Sequence, residues 1–545
     1  MHPFCLPRHT HLSFCLGTML LALVSATAKP WTPDVWREFE RTGPASPLYD
    51  FSQAGYQGGK ALPTPPVTHR ATDFGALPND DKDDTAALQG ALDAVAKRGG
   101  VLSLAAGVYD LGLGREPETL AIAGSNVVLR GAGSGKTTLR LHQRLFKDPK
   151  KGYGDPVIQV GPAGKHNPSR WRQKLTADTP QGSDVLQVED TTQFKVDMPA
   201  RVLLFNPVVD GKRTDALSRA LVAPLEPEKE WRHFARWAPV TFVSVVTEIL
   251  DKNRLRLRHP APVAFEMRWG AETGWHELPI REVGIEGIRI ETPWAEKAYR
   301  HHGSREMDYG WTGIRLQHAR DSWVKDVHLH NLAQDISLSG CLQSTVRETV
   351  VSGTQGHHGL TTTGWHNLFS SCQYTTTRTH GAGANGNAIG NVFRHIDFAR
   401  VGGGPNAVSR LDHHGGGFPL CNLFELIGPA SVAGAGAGQN MPHAGPRNVY
   451  WNIRVDASTS RPPGELFTGV WNYYATWQAR GFQRADCHKL FPRSIVVGAV
   501  HADPDRKVII DKSNKDRRDE WIHAEGISRT GVQPASLYEA QRARR

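Results

Sequence analysis

TDFGALPNDDKDDTAALQGALDAVAKRGGVLSLAAGVYDL (residues 72–111) holds one helical pattern followed by short strand patterns. Thr85, Leu88, Leu92 and Val95 fall on one side of a helix running from about Asp84 to Lys97, and Gly99-Gly100 follows its last turn. VLSL then reads as a strand, Ala106-Gly107 as a turn, and another short apolar segment comes next. A lone helix ahead of strands suits a cap more than a layer of an α/β domain.

Outward from this stretch the pattern becomes monotonous. From about residue 125, short alternating runs such as NVVLRG, GIEGIRIE, WVKDVHLHN, TVRETVVSG and NVFRHIDF are separated by polar or Gly-bearing turns. Their beginnings near residues 313, 335, 359, 387 and 407 lie roughly 20 to 28 apart. That period suits one coil of a parallel β-helix, in which each rung buries its inward residues only by stacking on its neighbours. The helix is then expected to cover the open N-terminal end, where strand edges would otherwise be bare. A β-sandwich would need regular Asn-Gly or Asp-Gly hairpin turns, and these are scarce. The expected fold class is all-β, a single parallel β-helix over residues 69–455, with long loop insertions. Residues 183–275 interrupt the rungs as an insertion. Residues 29–68 read as an arm, and residues 456–545 as loops, last rungs and a terminal helix packed on the coil.

The composition agrees with this reading. Gly 55 and Pro 35 in 545 residues, without a collagen-like period, imply many turns. The formal charge of +10 favours an anionic partner. Residues 1–28 have the flanks and apolar core of a cleavable signal peptide, and no later run reaches transmembrane length. Secretion or a periplasmic location is therefore expected, which disfavours nucleic acid as partner and excludes an integral membrane segment; a monomer is expected. Cys341, Cys372, Cys421 and Cys487 are too few and too far apart for a disulfide scaffold or a structural zinc site, although one disulfide stays open.

The opening motif has a family likeness. Asp73-Phe74-Gly75, Asp83-Asp84-Thr85, Gly99-Gly100 and Gly107 with Tyr109 resemble the opening of the pectate-lyase-like superfamily of right-handed parallel β-helices. The resemblance implies a right-handed coil. It says less about chemistry, because polysaccharide lyases, glycoside hydrolases, epimerases and phage tailspikes share the fold.

Candidate site residues cluster in the middle rungs. GTQGHHGL (353–360), RTHGAGANGN (378–387), RLDHHGGG (410–417) and NMPHAGPRN (440–448) each set His beside Gly in a turn. Equivalent positions of successive rungs stack about 4.8 Å apart. His358, His380, His413 or His414, and His443 are therefore expected along one edge, with Arg378, Arg394 and Arg410 beside them. HHGSREMDYGW (301–311) adds two His and two carboxylates, read either as a solvated loop or as a calcium, sugar or acid–base site. Trp311 is a candidate stacking platform. GAGSGKTT (131–138) mimics a phosphate-binding loop, but Arg130 stands where the first Gly belongs, so it reads as a turn.

The expected activity is a secreted polysaccharide lyase acting by β-elimination on an acidic, uronic-acid-containing polysaccharide. Such a reaction needs a cation at the carboxylate, a base for the C5 proton and an acid for O4. Arg410 and Arg378 would hold carboxylates, His413 or His414 would be the base, and Asp412 would orient an imidazole. Asn385 and Asn387 would stabilise the enolate-like intermediate, and His358 or His380 would be the acid. Arg394, His443 and Trp311 complete the binding set. Hydrolysis by paired carboxylates is the alternative, and a non-catalytic glycan-binding solenoid is the third reading. No cofactor is required, and calcium stays open, as does any metal ligand set.

Overall fold

A computed structural model describes residues 29–146, 154–225, 234, 236–295, 299–402, 407–414, 417–435, 442–456, 465–469, 490–510 and 521–545. The signal-peptide reading, Cys487 and much of the expected C-terminal loop region lie outside these. No described helix is long and apolar enough to cross a membrane.

Two parallel sheets run the length of a coil. Among the described residues one has fourteen strands, from His69–Arg70 to Ile522–Glu525. The other has nine, from Leu120–Ile122 to Phe467–Gly469. A thin third side is made by single parallel bridges joining Arg320, Leu342, Trp365, Ile389 and Leu420 in turn. Strands of the nine-strand sheet begin at Thr312, Gln334, Gly356 and Arg378, a period of 22 residues. The sequence estimate of rung starts drifted by several residues after the second rung.

Stacking in register fills the interior. Ile314, Ile336, Leu360, Ala382, Leu411 and Val432 pair in succession and are all buried. Phe369, Phe393, Phe424 and Tyr450 stack at 4.5, 4.8 and 5.4 Å between ring centres. Asn367, Asn391, Asn422 and Asn448 form a buried ladder in which each side-chain amide donates to the next Oδ1, at 2.9, 2.9 and 3.0 Å. The ladder gives each of these four buried side-chain amides its hydrogen-bond partners.

Helix Thr85–Ala96 buries Leu88, Ala91, Leu92 and Val95 over the first strands, as expected of a cap. The motif that precedes it fastens the helix to the coil. Asp84 Oδ2 accepts from the Asp110 amide at 3.1 Å, and Asp83 Oδ1 accepts from the Gly112 amide at 2.7 Å. The insertion is a six-strand antiparallel sheet whose strands begin at Gln173–Lys174 and end at Glu272–Trp275, so it starts earlier than residue 183. The arm contains a helix, Asp34–Thr42, that the sequence reading lacked, and Glu525 accepts from the first two helical amides. Residues 131–136 form the turn between strands Val127–Arg130 and Thr137–Leu141.

Candidate active site and histidine cluster

A groove of about 520 Å³ lies on the outer face of the nine-strand sheet. Its wall is formed by Arg315 and Gln317, Gln334 and Ser337, His358 and Thr361, Asn385 and Gly386, and His414. Every titratable group of this wall (Arg315, Asp335, His358 and His414) comes from a strand of one sheet.

Beside the groove six imidazoles converge. His358 and His380 are register partners, with ring centres 4.6 Å apart. His414 lies 5.0 Å from His380 and 5.7 Å from His358. His357 lies 4.1 Å from His358 and 5.0 Å from His380. Adjacent strand residues ordinarily point to opposite faces. Here the amides of His357 and His358 both approach the Ala333 carbonyl, at 2.8 and 3.2 Å, and this irregularity brings both rings to one side. His301 and His302 arrive from the loop before helix Arg305–Tyr309, 5.0 and 5.7 Å from His357.

Carboxylates and carbonyls fix several rings. His302 Nδ1 donates to Asp308 Oδ2 at 2.8 Å, and Asp308 also accepts from the Tyr299 hydroxyl at 3.1 Å. His357 Nδ1 donates to the Asp308 carbonyl at 3.3 Å. His380 Nδ1 is hydrogen-bonded to Asp412 Oδ2. Nε2 of His357, Nε2 of His380 and Oδ1 of Asp412 are buried with no hydrogen-bond partner among the described residues. Burial holds His301, His357, His358, His380 and His414 neutral. It pulls His414 down to about 4 and His301 to about 3, and it sets His357, His358 and His380 well below the ordinary value. Burial also raises the Asp412 carboxyl, with Arg410 opposing. Neutral imidazoles keep the lone pair that accepts a proton or binds a cation.

The other expected residues distribute as follows. His413 turns inward: Nδ1 donates to the Ala384 carbonyl at 2.9 Å, Nε2 meets the Tyr450 hydroxyl at 2.8 Å, and the ring is fully buried. It is a packing residue, and of the two only His414 lines the groove. Arg378 is not available to a ligand, because its guanidinium makes a two-pronged pair with Asp335, at 3.0 Å for each contact, inside the wall. Arg394 lies on the fourteen-strand sheet, between Glu425 and Glu539. Arg410 is buried and donates to the Thr379 carbonyl at 3.3 Å. His443 is buried beside Gly434, away from the groove wall. Trp311 is 6% exposed, too little for a sugar platform. Asn385 lines the groove and its Oδ1 accepts from the His414 amide at 2.7 Å. The Asn387 side-chain oxygen is buried instead.

A Cβ on Gly359 would sit 2.1 Å from the Gly381 carbonyl, so glycine there serves the close stacking of rungs. The sequence reading left His301 and His302 open as a solvated loop or a site, and it missed His357 and Arg315. The repeated His-His pairs at 301–302 and 357–358 were the available signal. Cys341, Cys372 and Cys421 are buried free thiols.

The coil is a right-handed parallel β-helix, the fold that the opening motif implied. No family model matches the chain. Among curated proteins it is similar to the mannuronan C5-epimerases AlgE3 and AlgE5 of Azotobacter vinelandii, at 46% identity over 95 residues and 44% over 101. These matches span 16% and 17% of this chain but only 5% and 10% of those relatives. Among solved structures, the tailspike protein gp49 of Pseudomonas phage LKA1 aligns with TM-score 0.45 and 11% identity, over 80% of this chain and 71% of that one. An alginate lyase from Paenibacillus sp. str. FPU-7 aligns with TM-score 0.33 and 9% identity, over 82% and 96%.

Proposed function

We propose that this chain is an exported enzyme that acts on a uronic-acid-containing polysaccharide by removing the C5 proton, with β-elimination as the outcome. The observation that carries the reading is the histidine wall: neutral, buried-edge imidazoles open onto a groove formed by a single sheet face. His414 is the base, held by Asn385 through its backbone amide. Arg315 faces the uronate carboxylate from the same wall. His414 then gives the proton taken from C5 to O4 as the glycosidic bond breaks. Because the described titratable groups lie on one wall, removal of the C5 proton and departure of O4 from the same side suit this groove. Hydrolysis is disfavoured, since it needs two carboxylates facing the substrate. Asp335, which borders the groove, is bound to Arg378.

A second reading, C5 epimerisation, is favoured by the names of the curated relatives, mannuronan C5-epimerases. It shares the proton abstraction and differs in returning a proton to the opposite face. Mannuronan is therefore the first substrate to test, followed by other polyuronates and neutral glycans. Unsaturated ends absorbing in the near ultraviolet support elimination. A changed uronate composition without chain cleavage supports epimerisation. Saturated reducing ends alone, or binding without change, refute the proposal.

A further inference from the structure

Three groups of side chains near the groove present nitrogen or oxygen ligand atoms within 4.8 Å of one another: His301, His302 and His357; His357, His358 and His380; and His380, Asp412 and His414. The middle group shares one residue with each of the others, so a single ion at the centre is the economical occupant. Its ring nitrogens are prepared in the manner of metal ligands. The Nδ1 atoms of His357 and His380 are engaged by the Asp308 carbonyl and by Asp412. That arrangement turns each Nε2 lone pair away from its anchor, and both Nε2 atoms are buried without a protein hydrogen-bond partner among the described residues. Both residues are 1% exposed. Leaving two such acceptors empty in a protein interior is costly. An imidazole anchored at one nitrogen by a carbonyl or carboxylate, with the other nitrogen directed at a metal, is the usual outer arrangement of histidine-bound ions.

We infer that His357, His358 and His380 bind one divalent transition-metal ion, with a coordination position open to the groove through His358. The donor set selects the class of ion. Imidazoles suit zinc, nickel, copper or iron, whereas calcium takes six to eight oxygens, and Asp412 is the one carboxylate in the three groups. Three protein ligands with one open position is the arrangement of catalytic rather than structural zinc. Tetrahedral ligand nitrogens lie about 3.3 Å apart for Zn–N bonds of about 2.0–2.1 Å. The ligand atoms lie within 4.8 Å of one another, so closing the group takes an approach of at most about 1.5 Å. Asp412 and Asp308 then supply the negative charge and the carbonyl behind the ligands. The consequence for chemistry rests on the uronate reading: an ion here would meet the substrate carboxylate, the task that Arg378 cannot perform.

The test is metal binding read without substrate. Full-length protein is stripped with a chelator and titrated with Zn²⁺ in a calorimeter and with Co²⁺ by visible absorption. The expected result is one equivalent, with the intense visible bands of low-coordinate Co²⁺. His357→Gln and His380→Gln should each weaken binding at least 100-fold, and Asp412→Asn by about 10- to 100-fold, with the β-sheet circular dichroism unchanged. His358→Ala, at the groove edge, provides a variant that is less prone to misfold and should also lose binding. No binding by the parent protein, or binding that survives all these substitutions, overturns the inference. A silent glycan assay on metal-loaded protein would refute the uronate reading and leave the metal site standing.

Discussion

Arg378→Met separates a structural arginine from a substrate-binding one. Arg378 Nε and Nη2 each contact Asp335 at 3.0 Å, and Nη1 donates to the carbonyls of Thr354 and Thr377 at 3.0 and 3.1 Å. Both side chains of the pair are 0% exposed. Removing the guanidinium leaves the buried Asp335 carboxyl and the Thr354 carbonyl without their arginine donor, and breaking such a pair costs about 3–5 kcal/mol. The Asp335 carboxyl, already raised by burial, would then take up a proton, so the loss should shrink in acid. The double variant Arg378→Met/Asp335→Leu removes the orphaned charge and should recover most of the stability. Urea unfolding followed by tryptophan fluorescence reads all three proteins. A single variant as stable as the parent, altered only in its affinity for acidic glycan, would refute the structural assignment.

Other substitutions probe the rest of the coil. His413→Ala should lower stability by about 2–4 kcal/mol, through a cavity and two lost hydrogen bonds. His414→Ala should abolish activity with little change in the unfolding midpoint, and the opposite pattern would reverse their assignments. Asn391→Ala breaks the ladder at its middle, leaving the Asn367 backbone amide unpaired. A cost of at least about 1–3 kcal/mol is expected, and an unchanged midpoint would show that the ladder is not needed. His259 and His366 stack at 3.4 Å with burial pulling both down, His366 to about 3. An unfolded histidine takes up its proton near pH 6.5, and these folded ones do so only far below. Stability therefore falls as pH drops below about 6.5, by about 1.4 kcal/mol per unit for each such histidine. His366→Phe should flatten that acid slope in melting measurements, and an identical slope would contradict the assignment.

The fold was legible because its signals are local and repeated. The Asp83-Asp84-Thr85 motif is a short local signal, and the alternating rungs recur from coil to coil. The groove was half legible. His358 and His380 are register partners as rung periodicity implies, and His414, beside Asn385 in the next rung, brings its ring within 5.7 Å of both. What could not be read was the facing of each residue in a His-His pair. A one-residue shift of register reverses a side chain: His413 turns inward, while the shared Ala333 carbonyl keeps both His357 and His358 outward. Nor does sequence spacing foretell that Arg378 meets Asp335 two rungs earlier, or that the loop at 301–302 folds over the wall. Those contacts join residues that only the finished coil makes neighbours.

The central claim is proton abstraction at C5 by the histidine wall, and solvent deuterium reads it most directly. Mannuronan and other polyuronates incubated with the protein in D₂O should gain deuterium at C5 or yield unsaturated ends, and His414→Ala should do neither. Polyuronate that stays fully protonated and saturated with the parent protein, or exchange that persists in His414→Ala, would contradict the account.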